Sequence, residues 1–357
     1  MIKYLGSKRV LVPRILSIVR RLPETRTVLD LFSGTARVGH ALKRNGYYVI
    51  ANDHLTYAAT LARCYVAADR EEVGRDIERL VRDLSKIKGK PGYFTHTFCE
   101  RSRFFHPKNG ERIDAIRDEI QRLGLDEIRK AVLLVSLMEA ADRVDSTTGV
   151  QMAYLKTWAP RALNDLELRV PAILPGPGEA HQLDAEEAAS AWEADVAYLD
   201  PPYNQHRYLG NYHVWETLVR WDAPEVYGTA CKRVDCREYS SAFNSRPRIA
   251  AAMRQVLKGL RCRYVVASFN NEGYLPREEM AALLAEVGEV QVVEVDFKRY
   301  VGAQIGIFNP RGEKVGRVSH LRNKEYLFVV GCDGAGLPAS LAKLTSTSAR
   351  AEQMPLL

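Results

Sequence analysis

Residues 27–35 read TVLDLFSGT, a short apolar run that ends in a turn with a single glycine. A helical pattern over 36–44 follows, and a second apolar run, 47–50, leads to the polar pair Asn52-Asp53 and a helical stretch over 57–68. A strand, a glycine turn, a helix and a strand that ends in an acid are typical of the opening of a doubly wound nucleotide-binding sheet. The predicted fold class is therefore α/β with a central sheet.

The same alternation returns in the second half of the chain. Three of its four apolar runs are continuous, as expected of parallel strands that are buried on both faces, whereas 294–298 alternates between apolar and polar residues. We therefore expect the central sheet to be mostly parallel. The later apolar runs occupy 196–199, 264–268, 290–297 and 326–330, and helical patterns lie near 212–221, 246–259 and 276–287.

Between 69 and 170 the alternation stops, and the chain becomes charged and mostly helix-compatible. An insertion of about 100 residues has the size of a domain rather than of a loop. The sequence predicts a main domain built from 1–68 and 171–333 and a mostly helical inserted domain over 69–170 that reads the substrate. Residues 334–357 lack apolar periodicity and are predicted to form a mobile tail.

Composition places the chain among ordinary globular proteins, with 46% hydrophobic and 27% charged residues. No apolar stretch approaches the roughly 20 residues of a membrane helix, and no secretory signal follows Met1. We expect no membrane contact and a cytoplasmic location. The six cysteines form no C-x-x-C pair and have no metal-ligand spacing, which predicts free thiols and no metal site.

The net charge of +7 is distributed unevenly along the chain. Nine Lys or Arg stand against two acids between 231 and 263, and seven stand against one acid between 298 and 324. Lys and Arg displace counterions from a phosphate backbone, while the small polar residues between them can fix the register. Contact with nucleic acid is predicted, and a solvated charged face is the alternative.

The tetrapeptide Asp200-Pro201-Pro202-Tyr203 follows the apolar run 196–199 and is predicted to form a rigid loop at the tip of a buried strand. The two prolines fix φ and donate no hydrogen bond, so the carbonyl oxygens point in set directions. Asp200 and the carbonyl of Pro201 can accept the hydrogens of an exocyclic amine, and Tyr203 offers a flat face to a planar ring. A nucleobase amine fits, and in a duplex it must be flipped out. A simple turn is the alternative.

The glycine turn limits the choice of cofactor. A dinucleotide fingerprint has three glycines where this turn has only Gly34, so the close approach of a pyrophosphate is not provided for. A helix N-terminus after Gly34 can receive a carboxylate, and Asp53 is placed to bind a ribose. These features fit S-adenosylmethionine, although Asp30 and Phe32 can also be interpreted as a helix cap and a strand-end core residue.

Four motifs in order carry a family resemblance: KYLGSK at 3–8, DLFSGT at 30–35, ND at 52–53 and DPPYN at 200–204. From residue 1 to about 331 the chain resembles the Dam-like adenine-specific DNA methyltransferases, and among them the adenine methylases of type IIS restriction-modification systems. The resemblance implies a Rossmann-like S-adenosylmethionine-dependent methyltransferase fold and a target-recognition role for the inserted domain. It also implies methyl transfer to the N6 atom of a flipped-out adenine in double-stranded DNA.

The resemblance further implies roles for single residues. The expected cofactor contacts are Tyr4, Lys8, Asp30, Phe32, Gly34, Thr35, Asp53, Asp184 and Asp200, and the expected catalytic loop is Asp200, Pro201, Pro202 and Tyr203. A cap on the helix 185–191 is an equal alternative for Asp184. Since Arg and small polar side chains read base edges, the candidate DNA contacts are Arg143, Thr147, Thr148, Tyr154 and Lys156.

Several alternatives remain open. The modification component of a restriction-modification system, beside a separate cognate endonuclease, is preferred to a solitary regulatory methylase. Cytosine-N4 methyltransferases usually carry serine at the position of Asp200, and RNA or protein amide methyltransferases typically carry asparagine there. A non-catalytic DNA-binding regulator is disfavoured because the acceptor loop is intact. We expect a monomer.

Overall fold

The structure is a computed structural model that describes residues 1–298 and 322–344. Its strands are β1 Thr27–Asp30, β2 Tyr48–Asn52, β3 Glu179–His181, β4 Glu193–Leu199, β5 Val226–Tyr227, β6 Lys232–Arg233, β7 Arg261–Asn270, β8 Gly288–Lys298 and β9 Arg322–Cys332. Its α-helices are α1 Val12–Val19, α2 Arg37–Arg44, α3 Thr56–Ala62, α4 Arg70–Leu84, α5 Tyr93–Thr95, α6 Pro107–Arg122, α7 Glu127–Arg143, α8 Ala185–Ala191, α9 Tyr208–Asn211, α10 His213–Arg220, α11 Asp235–Glu238, α12 Ile249–Gly259 and α13 Arg277–Leu284. Short 3₁₀ helices cover Lys8–Val10, Pro160–Leu163, Ala242–Asn244 and Ala339–Leu344, and π-helical turns cover Arg63–Ala67 and His96–Glu100.

In the described residues the main sheet has seven strands in the order β3-β2-β1-β4-β7-β9-β8. Strands β1 to β4 and β7 are parallel, and β9 runs antiparallel between β7 and β8. The chain winds outward from β1 in one direction and from β4 in the other, so the strand order reverses between them. Ligands bind at such a switch point in open α/β sheets. The predicted α/β fold with a mostly parallel central sheet is confirmed.

Alternate side chains of the strands enter two separate hydrophobic clusters, one on each face of the sheet. Val28, Val49 and Val196 face a cluster that includes residues of α1, α2, α3 and α10. Leu29 and Ala197 face the other cluster, which includes residues of α8, α12 and α13. Because both faces are covered, the strands are apolar on both sides, as the sequence indicated.

The helices of the segment 69–170 pack against the first of these clusters. Residues of α4, α6 and α7 belong to the same group of buried side chains as the sheet face. Two of these helices begin with an aspartate cap: Asp69 accepts from the Glu71 amide at 2.9 Å and Asp126 from the Arg129 amide at 2.9 Å. The segment therefore shares a hydrophobic core with one face of the sheet. A separate target-recognition domain over 69–170 remains a prediction.

Some local predictions need correction. The helix predicted over 57–68 changes to a π-helical turn after Ala62, and β3 was not predicted as a strand. The predicted mobile tail begins with a packed segment, because Leu341 and Leu344 are buried in the core. The rest of that tail, together with nearly all of the basic segment 298–324, lies outside the described residues.

Among the described residues, no helix is both long and apolar enough to cross a membrane. No group of three or more His, Cys, Asp or Glu in that part of the chain could hold a metal ion. The six cysteines are free thiols.

Candidate active site at the carboxyl ends of the parallel strands

A cavity of about 650 Å³ opens where β1, β2 and β4 end. A volume of this size suits a small-molecule ligand. The loops that follow these three strands supply much of its wall, with further residues from the N-terminal segment and from 238–244. The predicted residues that line it are Tyr4, Lys8, Asp30, Phe32, Gly34, Thr35, Asp53, Asp184, Asp200 and Pro202.

The glycine turn after β1 is held against the loop after β2. Gly34 has φ +52°, a conformation that favours glycine. Its amide donates to Asp53 Oδ2 at 2.9 Å, and a Cβ added at this position would lie 3.5 Å from the Tyr4 ring. The turn is therefore both conformationally set and closely covered by an aromatic side chain.

Asn52, the residue before the predicted ribose acid, joins three loops. Its side-chain amide donates to the carbonyl oxygens of Leu31 at 3.3 Å and Leu183 at 3.1 Å, and its Oδ1 accepts from the Leu183 amide at 3.0 Å. The Ser33 amide donates to the Asn52 carbonyl at 2.9 Å. An asparagine suits this buried position because one side chain supplies a donor and an acceptor.

Asp30, the last residue of β1, is 1% exposed. Its Oδ2 accepts from the Gly39 amide at 3.0 Å, whereas the buried Oδ1 has no hydrogen-bond partner. Burial, reinforced by the nearby carboxylates of Asp200 and Asp53, raises the pKa of Asp30 to about 7. A buried carboxylate oxygen without a partner on the wall of a cavity is a favourable position for a ligand cation.

Tyr4 lies in an aromatic cluster that the sequence did not predict. Its ring stacks on Tyr212 at 4.6 Å and on Tyr208 at 5.2 Å between ring centroids, and its hydroxyl lies 3.2 Å from that of Tyr57. The spacing of Tyr208 and Tyr212, four residues apart around a short helix, is the only sequence signal for this cluster. These contacts fix the ring of Tyr4 beside the glycine turn.

The acceptor loop after β4 carries a buried ion cluster. Lys8 Nζ lies 3.1 Å from Asp200 Oδ1 and 3.7 Å from Glu325 Oε2, and the Lys8 side chain is 6% exposed. Lys8 was predicted as a contact to the methionine end of the cofactor, whereas the structure pairs its ammonium with the loop carboxylate and with Glu325, which the sequence analysis missed. The pairing follows from burial, since a buried ammonium requires a counter-charge.

The ionisation of this cluster follows from burial and charge together. Burial raises the pKa of Asp200 to about 6, against the opposing effect of Lys8. Burial alone would lower the pKa of Lys8, but Asp200, Tyr203 and Glu325 raise it well above its ordinary value. At neutral pH Asp200 is therefore a carboxylate that faces an ammonium.

The remainder of the loop is locked by its neighbours. The Tyr203 carbonyl accepts from the Tyr274 amide at 2.8 Å, and the Tyr203 ring packs on Phe269 with centroids 5.0 Å apart. Pro201 and Tyr203 are buried, and Tyr203 is 8% exposed. Stacking of Tyr203 on a base therefore stays a prediction. Such stacking would involve only the small part of the ring that is exposed.

Asp184 lies at the N-terminus of α8 without a side-chain capping bond. Its carboxylate instead pairs with His54 Nδ1 at 3.1 Å, and 77% of the side chain is exposed. His54 in turn stacks on Tyr239 with centroids 5.6 Å apart. Asp184 therefore stands at the capping position of α8, but its side chain does not cap the helix. Its carboxylate pairs with His54 at the wall of the cavity instead.

Residues 238–244 form a wall of the cavity that no motif predicted. Phe243 meets Phe32 edge to face at 5.2 Å between centroids. Asn244 Nδ2 donates to the carbonyl oxygens of Asn204 at 2.7 Å and His206 at 3.1 Å. This one side chain therefore joins the cavity wall to the end of the acceptor loop.

The candidate DNA contacts lie at the end of α7 and in the loop that follows it, but they differ in exposure. Thr147 is buried, its hydroxyl donates to Asp145 and accepts from the Gly149 amide at 3.0 Å, and a DNA contact at Thr147 stays a prediction. Arg143 is half-buried and donates to the Glu167 carbonyl at 2.5 Å. Tyr154 is half-buried, whereas Thr148 and Lys156 are exposed.

Two contacts fasten this loop to the elements around the cavity. The Gln151 amide donates to the Asn211 carbonyl at 2.8 Å, at the end of the helix that begins with the cavity residue Tyr208. Lys3 Nζ donates to Asp145 Oδ1 at 2.8 Å, next to the N-terminal segment that carries Tyr4. The exposed part of the loop therefore lies on elements that also support the cavity.

Comparisons with known proteins agree on one family. The model of the D12 class N6 adenine-specific DNA methyltransferases matches residues 4–283. Modification methylase StsI of Streptococcus sanguinis is 28% identical over 84% of this chain and 48% of that protein. Type II methyltransferase M.NlaIII of Neisseria lactamica is 28% identical over 90% and 99% of the two chains. Type II methyltransferase M.CviAII of Paramecium bursaria Chlorella virus 1 is 31% identical over 84% and 92%.

The chain spans about half the length of StsI and nearly all of the other two relatives. Likeness to solved structures is low. The hMettl16 catalytic domain, solved in complex with an RNA hairpin, aligns with a TM-score of 0.32 at 10% identity over 94% of this chain and 74% of that chain.

Proposed function

The chain belongs to the D12 class N6 adenine-specific DNA methyltransferases, as its motifs predicted, and from this premise we propose that it methylates the N6 atom of an adenine in duplex DNA. The observation that carries the proposal is the position of Asp200. Its carboxylate lies on the cavity wall, at the carboxyl end of a central strand and on a stiff Pro-Pro loop. Such an acceptor suits an amine that must be held in one orientation.

The cavity fits S-adenosylmethionine in its donor and acceptor groups. Asp30 offers a partnerless carboxylate oxygen to an ammonium, and the buried Ser33 hydroxyl also lacks a partner. Asp53 and Asp184 provide acceptors for ribose hydroxyls and for the amine of an adenine ring. Phe32 and Phe243 supply apolar ring surface on the wall between them. When bound, this cofactor supplies a methyl group on a positively charged sulfur.

The chemistry asked of the protein is the activation of a weak nucleophile. The N6 lone pair of adenine is delocalised into the ring, so hydrogen-bond acceptors on the amine are needed to localise it on nitrogen. Asp200 and the Pro201 carbonyl are proposed to accept the two amine hydrogens and favour a tetrahedral nitrogen. Preorganised acceptors and positioning of this kind supply several kcal/mol of the barrier reduction.

The substrate must reach this loop from outside the fold. Because Asp200 lies in a cavity, the adenine is proposed to leave the duplex before it binds. The loop that carries Thr148 and Lys156 is proposed to contact the DNA beside the cavity, since it is exposed and is fastened to α9. The type II relatives favour a modification component of a restriction-modification system as the biological role.

The test is methylation of unmethylated genomic DNA with labelled S-adenosylmethionine, followed by nucleoside analysis and mapping of the modified positions. N6-methyladenine at one defined sequence is the expected result. The Asp200→Ala variant is expected to transfer no methyl group while it still binds the cofactor. N4-methylcytosine as the product, or full activity in Asp200→Ala, would contradict the proposal.

A further inference from the structure

Glu325 is a second buried carboxylate beside the acceptor loop. It lies on β9, opposite Asn270 of β7, and 7% of the residue is exposed. Its Oε2 is 3.7 Å from Lys8 Nζ and accepts no hydrogen bond. Lys8 is therefore the charged neighbour that accounts for an otherwise costly buried group.

The ammonium of Lys8 lies within 4 Å of both carboxylates. One buried cation between two carboxylates leaves one surplus negative charge if all three are ionised. The single charge of Lys8 equals that of Asp200, so charge balance at the acceptor loop does not require Glu325. A second carboxylate that competes for the same ammonium changes how strongly Lys8 binds the first.

We infer that Glu325 is a positioning residue for methyl transfer: by drawing on Lys8, it keeps the ammonium from neutralising Asp200 fully and preserves the strength of Asp200 as an acceptor. The inference rests on the proposed function. During transfer, positive charge moves onto the amine nitrogen, and a site with one surplus negative charge is complementary to that change. The charge of Glu325 also opposes the effect of Lys8 on the pKa of Asp200, for which burial is the first cause.

Replacement of Glu325 by glutamine keeps the shape of the side chain and removes its charge. Lys8 should then bind Asp200 alone, which lowers the pKa of Asp200 and weakens it as an acceptor. The single-turnover rate is expected to fall about tenfold, and the acidic limb of its pH profile is expected to move to lower pH. Cofactor affinity is expected to stay within about twofold, because the change acts on the reacting amine.

The experiment measures single-turnover methylation from pH 5 to 9 for the wild type, Glu325→Gln, Glu325→Asp and Glu294→Gln. Glu294 lies on the neighbouring strand β8, is 37% exposed and pairs with Lys324 at 3.1 Å, so its substitution is the matched control. The control should keep the wild-type rate and profile. Glu325→Asp retains the charge and is expected to keep most of the wild-type rate. Its acidic limb is expected to lie between those of the wild type and Glu325→Gln.

Cofactor binding, measured on each variant by calorimetry, shows which variants are folded. An unshifted acidic limb in a folded Glu325→Gln variant would overturn the inference, because a purely structural role lowers the rate without moving that limb. If Glu325→Gln fails to fold, a folded Glu325→Asp variant that loses about tenfold in rate with an unshifted acidic limb overturns it instead. A wild type that methylates no adenine rejects the proposed function, and the inference about Glu325 falls with it.

Discussion

Replacement of Asp30 by asparagine should separate the stability of the protein from its ability to bind the cofactor. Burial moves the pKa of Asp30 from 3.8 to about 7. Each pKa unit corresponds to about 1.4 kcal/mol, so the ionised group costs the cofactor-free fold at most about 4 kcal/mol above pH 7. An asparagine avoids this cost but leaves an unpaired amide, which costs about 1–3 kcal/mol. The expected net gain at pH 8 is about 2 kcal/mol.

The sign of the pH dependence follows from linkage. An acid whose pKa is higher in the folded than in the unfolded state binds more protons when folded. The stability contributed by protonated Asp30 is therefore complete below pH 3.8 and is lost as the pH rises through about 7. The ammonium of the cofactor is proposed to bind the ionised form of Asp30, so cofactor affinity should rise with pH over the same range.

The assay is urea unfolding of the wild type and Asp30→Asn from pH 5 to 8, with cofactor affinity by calorimetry. The variant should lose the pH dependence of stability due to Asp30, and its affinity should fall about 10- to 100-fold, the equivalent of a charged hydrogen bond. Asp69→Asn is the control, because both residues cap a helix well. A less stable Asp30→Asn variant at pH 8 that still binds the cofactor normally would refute the reasoning.

Three further results are expected. Asp53→Ala should weaken cofactor binding at least tenfold, since it removes the acceptor beside Gly34; an unchanged affinity in calorimetry would show that the ribose binds elsewhere. The methylation rate should fall as the pH drops through about 6, because protonation weakens Asp200 as an acceptor, and a rate that is flat from pH 5 to 8 would contradict this. Lys156→Ala should lower DNA affinity and reduce the slope of log affinity against log salt by about 1, whereas Lys86→Ala, in the exposed turn after α4, should not.

The site was predictable where its signals are local in sequence. The turn at 30–35, the acid at Asp53 and the loop at Asp200 each follow an apolar run directly. Parallel strands end at the same edge of a sheet, so the fold brings these short motifs together without any long-range information. The α/β pattern itself sufficed to predict that meeting point.

The remainder depends on contacts between distant segments. Glu325 reaches Lys8 only because β9 inserts beside β7, and no pattern near residue 325 indicates a charged pair. The wall at 238–244 is set by packing against Phe32. Thr147 is buried although it was chosen as a candidate DNA contact, because residue type does not report burial. Residues 339–344 pack although their composition resembles a tail, because Leu341 and Leu344 enter the core.

The bond from Asn244 to the end of the acceptor loop bears on the order in which products leave. Asn244 is the last residue of the wall 238–244, which lines the cofactor cavity. The acceptor loop, to which Asn244 is hydrogen-bonded, is proposed to hold the adenine. Outward movement of the wall would break the hydrogen bonds from Asn244 to the carbonyl oxygens of Asn204 and His206, so an adenine held on the loop should disfavour that movement. We therefore expect the methylated strand to depart before the spent cofactor, an order that product-inhibition patterns would reveal.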